Sequence, residues 1–414
     1  MYQAYVIKVS NVKQHPNADK LDVIEYNGTT YITGRGDFAV GDIAVLFPGD
    51  GKLSVEFLRQ NNLYRNPELN SDSTKRGYFS NNGRVTTEKL RGICSYGLIV
   101  SLEAFTYLKV EFPYRPGDGF DSISGFKICE KYFTPETLRA MAAARNVKRT
   151  IRYDLAKHPD TLYLTFSNPP AGLVIITEKL HGTSGRTGKV VYKKIKPNLI
   201  DRIKSLFTGE KYMVVTGTRN TICVPGWAEY SKEERYRAEI HELLAPLLNK
   251  GETIFYEIVG FSSNNVPIMT PHSLENVKDK DFKKNYPNPI IYKYGETNYT
   301  FYVYRITQEI YNVTLEYTWD QVLNRCEQLD IKSVPELIRF YYEHTDDSLA
   351  EDVRITSFLT NSPSILDKDV LREGICIRVE NRNPRIYKMK NFMFGVLEGW
   401  AKELDTYVDI EEVN

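Results

Sequence analysis

The stretch Thr177-Glu178-Lys179-Leu180-His181-Gly182-Thr183-Ser184 follows a short apolar run, Leu173 to Ile176. An apolar run of that length reads as a buried strand, and Gly182 reads as the turn that ends it. Lys179 is thereby held at a strand edge. A lysine three residues before a glycine is by itself an ordinary solvated surface feature. A lysine amine becomes a nucleophile only when neutral, and at a pKa of about 10.4 almost none of a free lysine is neutral at pH 7. Such chemistry therefore needs neighbouring cations, and the rest of the chain offers them.

Five later segments bring suitable residue types. In Val215-Thr216-Gly217-Thr218-Arg219-Asn220 a glycine turn presents Arg219, either as a two-pronged phosphate grip or as a surface turn. In Ile254–Phe261, alternation puts Glu257 on the face that carries Phe255 and Val259, where a charge is costly unless paired or metal-bound. In Phe301–Ile306, Tyr302 and Tyr304 share a face. One of them can lie flat on a purine, or both can belong to a plain core strand. In Arg372–Val379, Glu373 opens the face continued by Ile375, Ile377 and Val379. Ile386-Tyr387-Lys388-Met389-Lys390-Asn391 then places two lysines on one strand face, their heads about 7 Å apart. Each segment has a bland alternative: buried ion pairs for the glutamates, solvated surface for the lysines. Two such glutamates with an activated lysine point to a site for Mg²⁺ or Mn²⁺ and for ribose hydroxyls.

The 414 residues allow two or three domains. With 54 basic and 53 acidic residues the chain is no uniformly basic nucleic-acid coat, so a nucleic-acid partner would have to meet a local basic surface. A hydrophobic content of 42% and 29 tyrosines indicate an ordered globular protein. The five cysteines and six histidines are dispersed, which suits reduced thiols and argues against a zinc site. The start is not that of a signal peptide and no run of about 18 apolar residues occurs, so a soluble, cytoplasmic protein without a membrane span is expected.

Residues 1–130 read as all-β, with strands at Ala4–Val9, Asp22–Tyr26, Thr30–Ile32, Ile43–Phe47, Gly83–Leu90 and Tyr96–Val100, the pattern of a small barrel. Asn61 to Asn82 is polar and is expected to be a long mobile loop. Residues 131–150 form a helical connector (Pro135 to Asn146) followed by Lys148, Arg149 and Arg152. From residue 151 onward longer strands mix with helices. A helical stretch is expected from Trp319 to about His344, and one amphipathic helix for the tail (Phe392, Val396, Leu397, Trp400). Lys189, Lys193, Lys194, Lys196, Arg202 and Lys204 make a second basic stretch, either a phosphate-contacting or a solvated surface.

Taken in order, Lys179-Leu180-His181-Gly182, Glu257, Tyr304, Glu373-Gly374 and Lys388-Met389-Lys390 resemble motifs I, III, IIIa, IV and V of the covalent nucleotidyltransferases, across roughly residues 172 to 395. That superfamily holds ATP-dependent DNA ligases, RNA ligases and capping enzymes. His181, where DNA ligases and capping enzymes mostly carry Asp, is similar to the phage-type nick-sealing RNA ligases. The segment His15-Pro16-Asn17-Ala18-Asp19-Lys20-Leu21 resembles the opening of OB-type tRNA-binding modules, although a tight strand-to-strand corner explains it equally. Only 24 residues follow Lys390, too few for a further OB or helical domain, and the OB-like region precedes the motifs. This order resembles the small RNA ligases with an N-terminal OB module.

The resemblance implies an α+β architecture: an OB-like β-barrel (1–130) for nucleic acid, a connector (131–150), and an adenylyltransferase domain (151–414) of ATP-grasp-like antiparallel sheets plus helices. It implies an ATP-dependent ligase that joins 3′-OH and 5′-phosphate RNA ends in nicked duplex or broken RNA, as in RNA repair, through a lysyl-AMP. Lys179 would attack the α-phosphorus, with Glu178, Leu180, His181 and Gly182 flanking the ATP. Tyr304 would stack on adenine, Glu257 contact ribose and metal, Glu373 help hold Mg²⁺ or Mn²⁺, and Arg219 engage phosphate. Lys388 and Lys390 would neutralise the α-phosphate and lower the pKa of Lys179. Arg305 departs from the family pattern, which favours an acidic residue there. No obligatory protein partner is evident. The alternatives are a DNA ligase, a GTP-using capping enzyme, or a non-enzymatic RNA-binding protein.

Overall fold

A computed structural model of the chain describes residues 2–135, 137–139, 142, 151–158, 161–164, 169–195, 210–219, 221–223, 235–262, 265–295, 297–311, 313–343, 349, 362–381 and 383–404. The architecture is mixed α/β, with many antiparallel sheets and few helices.

In the N-terminal region, Ala4–Lys8 pairs on one side with Ile43–Pro48 and on the other with Gly119–Phe120, and Gly97–Ser101 extends the sheet beyond Ile43–Pro48. Asn11–Gln14, Leu21–Tyr26 and Thr29–Gly34 form a meander, the last pair closed by the left-handed Asn27-Gly28 turn expected of a two-residue hairpin. Among the described residues these strands lie in open sheets, none of which closes into the expected OB-like barrel. His15 is 1% exposed and accepts the Asn17 amide through Nδ1, so the His15–Leu21 segment is a packed corner. The segment Asn61 to Asn82 corrects the expectation of a mobile loop. Tyr64 and Phe79 are buried in the apolar core, and Asn70 ties the loop together through Tyr64 N–H, Tyr64 C=O and Lys75 C=O. Its apolar anchors and the Asn70 bonds hold it in place, while polar residues such as Glu68, Lys75 and Arg76 face water.

The C-terminal region is built on two sheets. One runs Ile151–Tyr153, Thr183–Lys194, Glu252–Val259, Thr300–Ile310, Val313–Glu316, with Tyr212–Gly217 also paired to Thr183–Lys194. The other runs Leu162–Tyr163, Arg385–Lys390, Gly374–Val379, Gly172–Lys179, Glu336–Tyr342. The chain crosses from the second sheet to the first between Lys179 and Thr183, so residues 177–184 form the hinge between the two sheets. Between the sheets lies a core that includes Tyr256, Ile258, Trp319 and Phe394. Each fully buried large apolar side chain of this kind contributes about 1.5–3 kcal/mol.

Two expected helices are corrected. The helix beginning at Trp319, capped by the reciprocal Thr318–Gln321 box, stops at Leu329 because Asp330 turns left-handed. Glu336–Tyr342 is instead an edge strand on Gly172–Lys179, with Leu337 and Phe340 packed inward; His344 lies outside the described residues. In the tail, Phe392–Leu397 is helical, but the chain then turns at Gly399 (φ 71°) and Ala401–Leu404 runs parallel to Thr87–Leu90 of the N-terminal region. Backbone pairing with the N-terminal strand thus overrides the apolar spacing there. Of the expected connector helix, Pro135, Thr137–Arg139 and Ala142 are helical and the remainder lies outside the described residues. No helix among the described residues is long and apolar enough to cross a membrane.

Candidate active site

The strand registers explain how distant segments meet. Lys179 pairs with Gly374, and Gly374 with Lys390; two residues along, Thr177 pairs with Cys376, and Cys376 with Lys388. Laterally paired residues point to the same side of a sheet, so Lys179, Lys388 and Lys390 share one face. Gly374 has to be glycine, since a Cβ there would sit 2.2 Å from the Met389 carbonyl oxygen. Across the hinge, Ser184 pairs with Glu257 and Glu257 with Tyr302. A Cβ on Gly182 would lie 2.4 Å from the Ile258 carbonyl oxygen, so only glycine lets the turn pass this close to the Glu257 strand.

These faces enclose a cavity of about 470 Å³, within the size range of ligand pockets. All eleven residues expected to surround a nucleotide line it: Glu178, Lys179, Leu180, His181, Gly182, Arg219, Glu257, Tyr304, Glu373, Lys388 and Lys390. Glu373, 3% exposed, is the ionic centre. Its Oε1 lies 2.6 Å from Lys179 Nζ and 3.2 Å from Lys390 Nζ, and its Oε2 lies 3.6 Å from His181 Nδ1. Burial pushes the Glu373 carboxyl upward, but Lys179 and Lys390 outweigh it and hold the group well below the usual carboxylate range. Glu257 goes the other way. Burial raises its pKa to about 7, Lys179 opposes the rise and the Glu373 charge adds to it. Lys388 is lowered to about 7, chiefly by burial and then by the charges of Lys131, Lys390, Lys179 and Arg219. Lys179 is engaged by Glu373.

Tyr304 is the extra residue of a bulge opposite the Phe255–Tyr256 step, which breaks the simple alternation expected with Tyr302. Tyr302 is buried in the core and Tyr304 faces the cavity. The Tyr304 hydroxyl lies 2.7 Å from His158 Nε2 and 3.3 Å from Ser184 Oγ. The Glu178 side chain is committed to structure: Oε2 accepts the Ile365 amide at 3.0 Å and lies 3.7 Å from Arg372. Arg305 is held by Glu316, stacks over Phe255 at 4.5 Å and is absent from the cavity wall. His158, Cys376, Arg378 and Glu398 also line the cavity and were not singled out from sequence. Cys376 and Arg378 lie on the strand that follows Glu373, where they read as ordinary strand residues, while His158 and Glu398 lie outside the five segments and carry no spacing signal. Of the second basic stretch, Lys193 lies 3.9 Å from Asp154 and Lys189 donates to the Leu248 carbonyl, while Lys196, Arg202 and Lys204 fall outside the described residues, as do Lys148 and Arg149.

As to hard divalent cations, two of the four glutamates that line the cavity, Glu373 and Glu257, are close enough for the charge of one to raise the pKa of the other. A bound cation would relieve that repulsion, and oxygen donors of this kind fit Mg²⁺ or Mn²⁺.

A sequence model of the family described as RNA ligase matches residues 172–390, more than half of the chain. Among solved structures, Naegleria gruberi RNA ligase with PPi aligns at TM-score 0.57 and 18% identity, covering 95% of this chain and 97% of that one. A mutant of the same enzyme with ATP and Mn aligns at TM-score 0.58 and 19% identity, covering 96% and 98%. A mutant with AMP and Mn aligns at TM-score 0.55 and 18% identity, again covering 96% and 98%. At these identities the likeness is one of fold. No curated protein sequence matches.

Proposed function

The chain belongs to the RNA ligase family, and from that premise we propose that it uses ATP to join 3′-OH and 5′-phosphate RNA ends through a covalent adenylate on Lys179. The observation that carries the reading is the convergence of Lys179, Glu373, Lys388, Lys390, Arg219, Glu257 and Tyr304 on one cavity. The solved Naegleria gruberi relatives with ATP and Mn support the choice of nucleotide and metal.

In the first step the amine of Lys179, having shed a proton, attacks the α-phosphorus. A phosphorus–nitrogen bond forms and pyrophosphate leaves. Lys388 and Lys390 stand on the same face and neutralise the charge that grows on the α-phosphate. Tyr304, its hydroxyl anchored by His158, presents its ring to adenine, while Glu257 receives ribose and Arg219 grips phosphate at the mouth. Glu373 and Glu257 would hold Mg²⁺ or Mn²⁺, which would supply positive charge to the phosphates. A 5′-phosphate then displaces Lys179 to form the adenylylated RNA, and a 3′-hydroxyl displaces AMP to form the phosphodiester.

We assign residues 1–130 to holding the nucleic acid, with 131–150 as connector and 151–414 as nucleotidyltransferase domain. The pairing of Ile151–Tyr153 into the larger catalytic sheet supports the last boundary. Intact mass after incubation with ATP and Mg²⁺ tests the core of the proposal. The expected result is a gain of one AMP that maps to Lys179 and disappears when nicked RNA is added. A protein that gains no mass, or gains it elsewhere, refutes the reading.

A further inference from the structure

Beside the Lys179 turn lies a second set of ligand atoms. His181, His272 and Glu398 each bring one, and all three atoms lie within 4.8 Å of one another. They come from three separate places: the turn itself, the segment after Glu252–Val259, and the C-cap of the Phe392–Leu397 helix. The two imidazole centroids are 5.6 Å apart, with the Tyr292 ring 4.3 Å and the Phe394 ring 4.8 Å from that of His181.

An independent observation points to an occupant. Among the described residues, Nε2 of His272 and Oη of Tyr292 are buried without a hydrogen-bond partner, and Tyr292 is only 1% exposed. Adjacent orphaned polar atoms in an aromatic pocket call for a water or an ion. Two imidazoles with one carboxylate are a poor set for Mg²⁺, which takes oxygen, and a good one for ions of the zinc class with one position left open. Glu398 already accepts from Lys390 at 3.4 Å and Trp400 at 3.0 Å, but both bonds fall on Oε2. The nearby ammonium opposes a cation, so the imidazoles carry most of the affinity.

We propose that His181, His272 and Glu398 bind one divalent transition ion of the Zn²⁺ or Co²⁺ class, at a site distinct from the oxygen-ligand cation that accompanies ATP. The sequence expectation against a zinc site rested on the dispersal of histidines along the chain, and the fold removes that dispersal. The ion would fasten the tail, which pairs with the N-terminal strand Thr87–Leu90, to the turn that carries Lys179. The proposal is independent of the ligase reading, because its test contains no nucleotide.

Protein stripped with chelator is titrated with Co²⁺ alone and followed by visible absorption. A single saturable, intense band of low-coordinate Co²⁺ is expected, displaced by Zn²⁺ and unaffected by excess Mg²⁺. His272→Gln and Glu398→Gln should each weaken Co²⁺ binding about tenfold or more, with near-ultraviolet circular dichroism unchanged. Should His272→Gln fail to fold, Glu398→Gln decides the matter. Absence of the band, its displacement by Mg²⁺, or its persistence in the folded variants overturns the proposal.

Discussion

The two sheets that meet at the Lys179 turn contribute different chemistry to one cavity. The five-stranded sheet and its edge supply Lys179, Glu373, Lys388 and Lys390, with Glu373 paired to Lys179 at 2.6 Å and to Lys390 at 3.2 Å. The larger sheet supplies Glu257, Tyr304 and Arg219, among which the Tyr304 hydroxyl is fixed by His158 and Ser184 and Glu257 is raised to about 7 by burial. Buried charge is tolerated where opposite charge is adjacent and becomes unfavourable where it is not. The ionic wall therefore suits phosphate chemistry, and the wall bearing Tyr304 and Glu257 suits recognition of a nucleoside, with Arg219 left to reach the phosphates.

Substitutions that break the ionic wall should have the largest effects. Lys179→Ala is expected to abolish the AMP adduct entirely by mass spectrometry, while circular dichroism reports a folded chain. Glu373→Ala and Lys388→Ala should each slow adenylylation by about a hundredfold or more, corresponding to roughly 3 kcal/mol of transition-state stabilisation; single-turnover kinetics near wild type would remove them from the assigned roles. On the other wall, Tyr304→Ala should weaken ATP binding about tenfold, the loss of one stacking surface, with the maximal adenylylation rate less affected. Isothermal titration would separate the two quantities.

The pH dependence sharpens the contrast. Lys388 is charged below its depressed pKa of about 7 and neutral above it. ATP binding should therefore weaken a few-fold as pH rises through that value, and Lys388→Arg should flatten the profile because guanidinium stays charged. Glu257, ionised above about 7, acts in the opposite sense. A profile unaltered by Lys388→Arg and flattened by Glu257→Gln would assign the dependence to the larger sheet. The smallest effect is expected at the junction of the two regions: Trp400→Ala, removing a ring 5.6 Å from the Lys390 amine, should lower Tm by a few degrees.

The strands bearing Glu257, Glu373 and Lys388 were legible because apolar alternation is a local property, and a charge interrupting it is conspicuous. The strand Glu336–Tyr342 was not legible. Its residues follow a good helix, and what makes them a strand is the free edge of Gly172–Lys179. The tail misled for a similar reason, since Phe392, Val396, Leu397 and Trp400 have helical spacing, while the open edge at Thr87–Leu90 captures Ala401–Leu404. Tyr302 and Tyr304 alternate in sequence, but the bulge gives them different surroundings, and a one-residue insertion in a register leaves no sign in composition. His158 and Glu398 were missed because nothing near them in sequence announces chemistry.

By itself the sequence determined which segments carry chemistry and in what order they come, because residue type and local periodicity are written residue by residue. The tertiary structure alone decided which of those groups touch. Strand register places Lys390 beside Glu373 and Glu257 beside Ser184, and with that come the burial that brings Lys388 toward 7 and the ion pair that holds Lys179. Burial and distance between residues far apart in the chain are properties of the packed molecule, since both depend on the registers adopted by all the strands together.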